Sequence, residues 1–223
     1  MPLVGSGRPR PRLVIFDLDR ALIDARPAFC YTIEEAIAAV TGQRRSARQL
    51  ADAYHTRPWR DALRILLDDP HHYHAAEALC HQYAERSALK RLLVFDGIGM
   101  ALDELRAEQI DIAAITRHPY PLARKQVEST GLDRFFALIV PPAGDRFDPA
   151  TQLAECYRLL QTEPTQTAVV APGKPERQAA ERTGAIPITA AWAVEPDLGG
   201  IEVHSPTALR ETLLRRWEGR TPP

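Results

Sequence analysis

The chain has 223 residues, 45% of them hydrophobic, and a formal net charge of −1. That is length for one sizeable domain or a domain with a smaller insert, and the charge balance gives no general pull toward nucleic acid or an anionic membrane surface. No apolar run is long enough to span a bilayer, and Cys30, Cys80 and Cys156 lie too far apart for a zinc site or a disulfide framework.

The opening "MPLVGSGRPRPR" carries arginines and prolines but no apolar signal-peptide core, so residues 1–11 read as a mobile leader. With three unpaired cysteines, a reducing cytoplasm is the expected location. The first β-like run, "LVIF" (13–16), is apolar throughout and ends in two carboxylates, Asp17 and Asp19. After it the strand signal stops for nearly a hundred residues. Phe29, Ile33, Ile37 and Val40 recur at helical spacing, as do Trp59, Leu63, Leu66 and Leu67, and then Leu79 with Tyr83. Gly42, Pro58 and Pro70 punctuate these runs as helix breakers. Residues 25–92 therefore read as an all-helical insert, large enough to cap whatever lies at the end of the first strand.

Strand and helix patterns then alternate. "IDIAAI" (110–115), "FALIV" (136–140), "TAVV" (167–170) and "IPITA" (186–190) read as strands, with "IEV" (201–203) a weaker one. Helical patterns occupy 99–108, 120–130, 149–161, 176–183 and 206–217. The strands are short and apolar rather than alternating, as expected when both faces of a parallel sheet are covered. Residues 12–24 and 93–223 thus predict a doubly wound α/β core. Cys156 falls on the apolar stripe of its helix beside Leu153 and Leu160 and reads as core.

In open parallel sheets, ligands bind beyond the carboxyl ends of the strands. Four strand ends here carry groups suited to one polar site: Asp17 and Asp19; Thr116, Arg117 and His118; Asp145, Arg146 and Asp148; Lys174 and Glu176. A strand-end aspartate is a candidate nucleophile for an aspartyl-phosphate. Asp19, two residues on, is placed to protonate a leaving oxygen and then activate water. Thr116 and Arg146 would hold phosphoryl oxygens, and a divalent ion would bridge carboxylates to phosphate. The plain alternative is that the two aspartates only cap a turn. "HHYH" (His71, His72, His74) has no common metal spacing. Trp59 and Trp192 read as packing residues, and Tyr54, His55 and Arg57 sit near a break in the helical insert, where they could face the cleft.

These segments, taken together, resemble the haloacid dehalogenase superfamily and its phosphoglycolate phosphatase-like group. "VIFDLDRALID" is similar to the family's Asp-x-Asp motif, and "AAITRHP" to the strand ending in Thr or Ser. "FALIVPPAGDRFDPATQLAECYRLL" is similar to the Lys-Pro-x-Pro segment, and "TAVVAPGKPERQAAERTGAIPITAAW" to the Gly-Asp-x-x-x-Asp segment. "LVFDGIGMALDELRAEQI" and "VHSPTALRETLL" match the re-entry after the cap and the last strand and helix. The resemblance runs from about residue 12 to 217. It implies a Rossmann-like core, a helical cap and Mg²⁺-dependent phosphoryl transfer. Asp17 would be the nucleophile, Asp19 the acid/base, Thr116 a phosphate ligand, and Asp17, Asp19 and Glu176 the metal ligands.

Several positions depart from that pattern. Arg20 and Ala21 follow the second aspartate in place of Gly-Thr, Arg146 is the nearest substitute for the lysine, and Gly-Asp is replaced by Ala171-Pro172. Proline offers neither carboxylate nor N–H, so weak or altered Mg²⁺ binding is expected. Arg20 beside two carboxylates is expected to lower their pKa values, making Asp17 a poorer nucleophile. Arg117, Arg20 and Lys174 join Thr116 and Arg146 as candidate substrate-binding groups. The expected activity is that of a phosphatase acting on a small phosphorylated molecule, with no nucleic-acid or membrane partner and a monomeric or dimeric state. A catalytically impaired module that binds a phosphoryl ligand or a protein is the alternative, and a dehalogenase a weaker third.

Overall fold

The structure, a computed structural model, describes residues 11–56, 59–144, 147–193 and 196–217. Arg146 and Asp145, Arg57 and nearly all of the leader lie outside them. Six strands form one parallel sheet: β1 (Leu13–Asp17), β4 (Asp111–Ile115), β5 (Leu138–Val140), β6 (Thr167–Ala171), β7 (Ile186–Ala190) and β8 (Ile201–Val203), in the order β5-β4-β1-β6-β7-β8. The chain winds from β1 outward to one edge and then from β6 to the other. β1 and β6 therefore meet where the order reverses, the place where such sheets bind ligands.

Helices cover both faces. Val14 and Phe16 of β1 enter one apolar cluster with Ile98, Leu102 and Leu105 of α5 (Ile98–Ala107) and Leu209, Leu213 and Trp217 of α9 (Leu209–Trp217). Leu13 and Ile15 enter the other, with Leu153 and Cys156 of α7 (Pro149–Leu160) and Ala179 and Ala180 of α8 (Lys174–Thr183). The period of two along the strand divides an unbroken apolar run between two cores. α6 (Tyr120–Thr130) completes the layers.

Between β1 and β4 the chain forms α1 (Arg26–Thr41), α2 (Ala47–Thr56), α3 (Trp59–Leu66) and α4 (Tyr73–Ala84). Ile33, Ile37, Leu50, Leu63, Leu66 and Cys80 are buried there in a third apolar cluster that shares no residue with the two under the sheet. This helical unit is bracketed by a two-stranded antiparallel ribbon, β2 (Ile23–Asp24) on β3 (Leu93–Val94). The ribbon has no counterpart in the sequence reading; two-residue strands are too short to leave a period. Two helix starts also differ. α8 begins two residues early, at Lys174, because Pro175 is tolerated in a first turn that has no use for its N–H. The last helix begins three residues late, since Pro206–Ala208 form a separate 3₁₀ turn. Among the described residues no helix is long and apolar enough to cross a membrane.

Candidate active site

Asp17 closes β1, paired with Ile115 of β4, and is fully buried. The chain then turns through a five-residue π-type helix (Leu18–Leu22), closed by a hydrogen bond from Ile23 N to Leu18 O. That turn folds Asp19 back under the strand end, where its N–H donates to Asp17 Oδ1 at 3.1 Å. Asp17 Oδ2 has no hydrogen-bond partner among the described residues.

The end of β4 fixes Asp19. Thr116 Oγ1 donates to Asp19 Oδ2 at 2.9 Å and lies 3.1 Å from Oδ1, and Arg117 N donates to Oδ2 at 2.6 Å. His118 Nε2 stands 3.8 Å from Asp19 Oδ1. Thr116 is itself held from behind. Gln152, buried on α7, donates through Nε2 to the carbonyls of Thr116 and Val140, both at 2.8 Å. Gln152 was not anticipated, although a glutamine on the apolar stripe of Leu153 and Cys156 is a legible anomaly.

Glu176 reaches the same place from the first turn of α8 and is fully buried. Arg117 Nη2 donates to its Oε1 at 2.5 Å, while Oε2 has no partner among the described residues. The Arg117 guanidinium also lies over the Phe147 ring, 3.9 Å from its centroid. Gly173 leaves the room for this packing: a Cβ there would collide with Glu176 Oε2 and stand 3.1 Å from Arg20 Nη1. From the helical unit, Tyr54 on α2 brings a phenol within electrostatic reach of Asp24, Arg20, Asp19 and Asp17, and burial pushes its pKa well up.

The structure therefore gathers Asp17, Asp19, Arg20, Thr116, Arg117 and Glu176, with His118 at the rim. Lys174 is exposed on the first turn of α8. Arg117 is engaged by Glu176 and Phe147 while its side chain stays part-exposed. One expectation is corrected: although Arg20 does pull it down, the Asp17 carboxyl is raised overall to about 7, because burial, Glu176 and Asp19 outweigh Arg117 and Arg20. Trp192 does pack, with Nε1 donating to Ala21 O at 2.9 Å.

A buried carboxylate pair at the topological switch point of a parallel sheet stands where doubly wound α/β proteins place their ligand site. The profile of haloacid dehalogenase-like hydrolases matches residues 14–189, and the chain belongs to that family. Tyrosine-protein kinase PtkA of Mycobacterium tuberculosis is 27% identical over 187 residues, 82% of this chain and 62% of the relative. The chain thus spans less than two thirds of the length of the curated relatives it matches. The solved structure of M. tuberculosis PtkA aligns with TM-score 0.75 at 22% identity, covering 94% of this chain and 99% of that one. A subfamily IA hydrolase of the same superfamily from Geobacter sulfurreducens aligns with TM-score 0.77 at 17% identity, covering 94% and 99%.

Phosphatases of this family generally use Mg²⁺. The residues here do not fit that ion as they are arranged. Among the described residues no group of three His, Cys, Asp or Glu side chains is spaced to hold a metal. Asp19's carboxylate is taken up by Thr116 and Arg117. Pro172 brings no carboxylate, and the two acidic oxygens left over, on Asp17 and Glu176, already have guanidinium groups nearby.

Proposed function

We propose that this protein carries out phosphoryl transfer, hydrolysing small phosphomonoesters through an aspartyl-phosphate on Asp17. The observation that carries the reading is the paired geometry at the end of β1. Asp17 presents a buried oxygen with no partner among the described residues, and Asp19 is locked beside it by Thr116 and the Arg117 N–H. In this reading Asp17 Oδ2 forms a bond to phosphorus while the bond to the leaving oxygen breaks, and Asp19 delivers a proton to that oxygen. Water then attacks phosphorus as the bond to Asp17 Oδ2 breaks, Asp19 taking the proton that the water gives up, and inorganic phosphate and the free Asp17 carboxylate result. Helices α1–α4 act as a cap, with Tyr54 lowering a phenol over the carboxylates to limit what enters.

A second reading, a catalytically silent module that binds a phosphoryl ligand or a protein, is favoured by Pro172 and by the Arg117–Glu176 pair. One experiment separates the two: turnover of a panel of phosphomonoesters, with and without Mg²⁺, beside Asp17→Asn. The name of the mycobacterial relatives puts phosphotyrosine in that panel. Phosphoryl transfer requires turnover that falls about a thousandfold or more in the variant. Activity no greater than the variant's on every ester supports the binding module.

A further inference from the structure

Three carboxylates, Asp17, Asp19 and Glu176, are buried together at the carboxyl ends of β1 and β6. Buried charges of one sign persist only with compensating charge at close range. Here that compensation comes from side chains of the chain itself. Arg117 is fixed on two sides, by Glu176 at 2.5 Å and by the Phe147 ring face at 3.9 Å. Its side chain is still 37% exposed, so Arg117 is anchored without being sealed off from solvent. Arg20 and Glu176 share the space that Gly173 leaves by lacking a side chain. Both arginines lie within electrostatic reach of Asp17.

The donor side agrees. The loop after β6 is built from Pro172, whose carbonyl accepts from Asp197 N at 2.9 Å and so holds the loop in place. Neither that loop nor Asp19 offers an unengaged carboxylate.

We propose that Arg117, backed by Arg20, is the resident cation of this site, so that the pocket binds a phosphoryl oxyanion through guanidinium groups rather than through a divalent ion. The inference rests on the phosphoryl-transfer reading of the same carboxylates. A guanidinium offers two parallel N–H donors matched to a pair of phosphate oxygens, as a point charge does not. Glu176 then has a defined part as a positioning residue. It orients Arg117 toward the strand ends and competes with phosphate for it.

That competition gives a test in which the two kinds of site move in opposite directions. Binding of inorganic phosphate is measured by titration calorimetry, in EDTA and in millimolar Mg²⁺, for the wild type, Glu176→Gln and Arg117→Ala. The expected wild-type affinities agree within about twofold in the two buffers. Glu176→Gln, which keeps the volume and frees Arg117, is expected to tighten phosphate about tenfold. Arg117→Ala is expected to lose binding. Because it orphans a fully buried carboxylate, the Glu176→Gln result decides the matter where that variant does not fold. Phosphate binding that requires Mg²⁺, that weakens in Glu176→Gln, or that fails in both buffers overturns the proposal. Turnover is read separately. Metal-independent phosphate binding without Asp17-dependent turnover upholds the resident cation and removes phosphoryl transfer; Mg²⁺-dependent turnover does the reverse.

Discussion

Asp17 is held in a position that costs the fold stability. Its carboxyl is fully buried and raised from 3.8 to about 7, chiefly by burial and then by Glu176. Between those values the native protein keeps a proton that the unfolded chain releases. Stability therefore falls as pH rises from about 4 to about 7 and levels off above. Asp17→Asn removes the ionisation while keeping the shape. At pH 8 the variant is expected to be more stable than wild type by about 2–4 kcal/mol, the difference closing near pH 4. Urea midpoints across that range measure it, and a variant equally or less stable at pH 8 would show that Arg20 and Arg117 fully compensate the charge. Such a gain is the stability–activity trade-off expected of a carboxylate kept for the proposed chemistry. The sequence already marked Asp17, by ending an apolar strand on it. It could not give the sign of the pKa shift, because that sign is the balance of burial, Glu176 and Asp19 against Arg117 and Arg20, groups that only the fold brings together.

At the scale of elements, the site is a meeting of strand ends, and what fixes the meeting is one amide. Gln152 on α7 donates to the carbonyls of Thr116 and Val140, just past the end of β4 and at the end of β5, the second of which also accepts from Thr116 N at 3.2 Å. Its own Oε1 has no partner among the described residues, so the side chain is kept for its donors. Gln152→Leu is expected to cost about 1–3 kcal/mol by orphaning the Thr116 carbonyl, the Val140 carbonyl keeping its bond from Thr116 N, and to loosen the Thr116 hydroxyl on Asp19. Equilibrium unfolding gives the first effect; a cost below about 0.5 kcal/mol would mean that water replaces the amide. The six sheet strands were legible because each is a short apolar run bounded by turn residues, and β1 divides its residues between two cores as both-face burial requires. The candidate site was legible as far as its residues belong to strand ends: Asp17, Asp19, Thr116, Arg117 and Glu176 do converge. Their pairing was not legible. That Arg117 pairs with Glu176 depends on where α8 starts, and Pro175 allowed it to start earlier than the apolar pattern showed. Gln152 was hidden for the opposite reason, since it lies on a helix read only for its apolar stripe.

At the scale of the whole molecule, the described residues form three apolar clusters, two sharing the sheet and one belonging to α1–α4 alone. The helical unit joins the rest through the β2–β3 ribbon and through polar links such as Lys125 to Glu85 at 3.0 Å. A unit with its own core, joined to the rest by a two-residue ribbon, should open as a unit, because parting the units costs less than exposing the core of either. Leu63, fully buried at the centre of that cluster, tests the point. Leu63→Ala is expected to remove about 2–5 kcal/mol from the helical unit through lost burial and the cavity left behind. Hydrogen exchange should then quicken across α1 to α4 while β1, β4 and β6 keep their protection. Equal loss of protection in the sheet would mean that the molecule unfolds as one body. In that event the proposed cap could not move over Asp17 without the core that holds Asp17 moving too, and access to the carboxylates would have to be set by side chains such as Tyr54 rather than by the displacement of a unit.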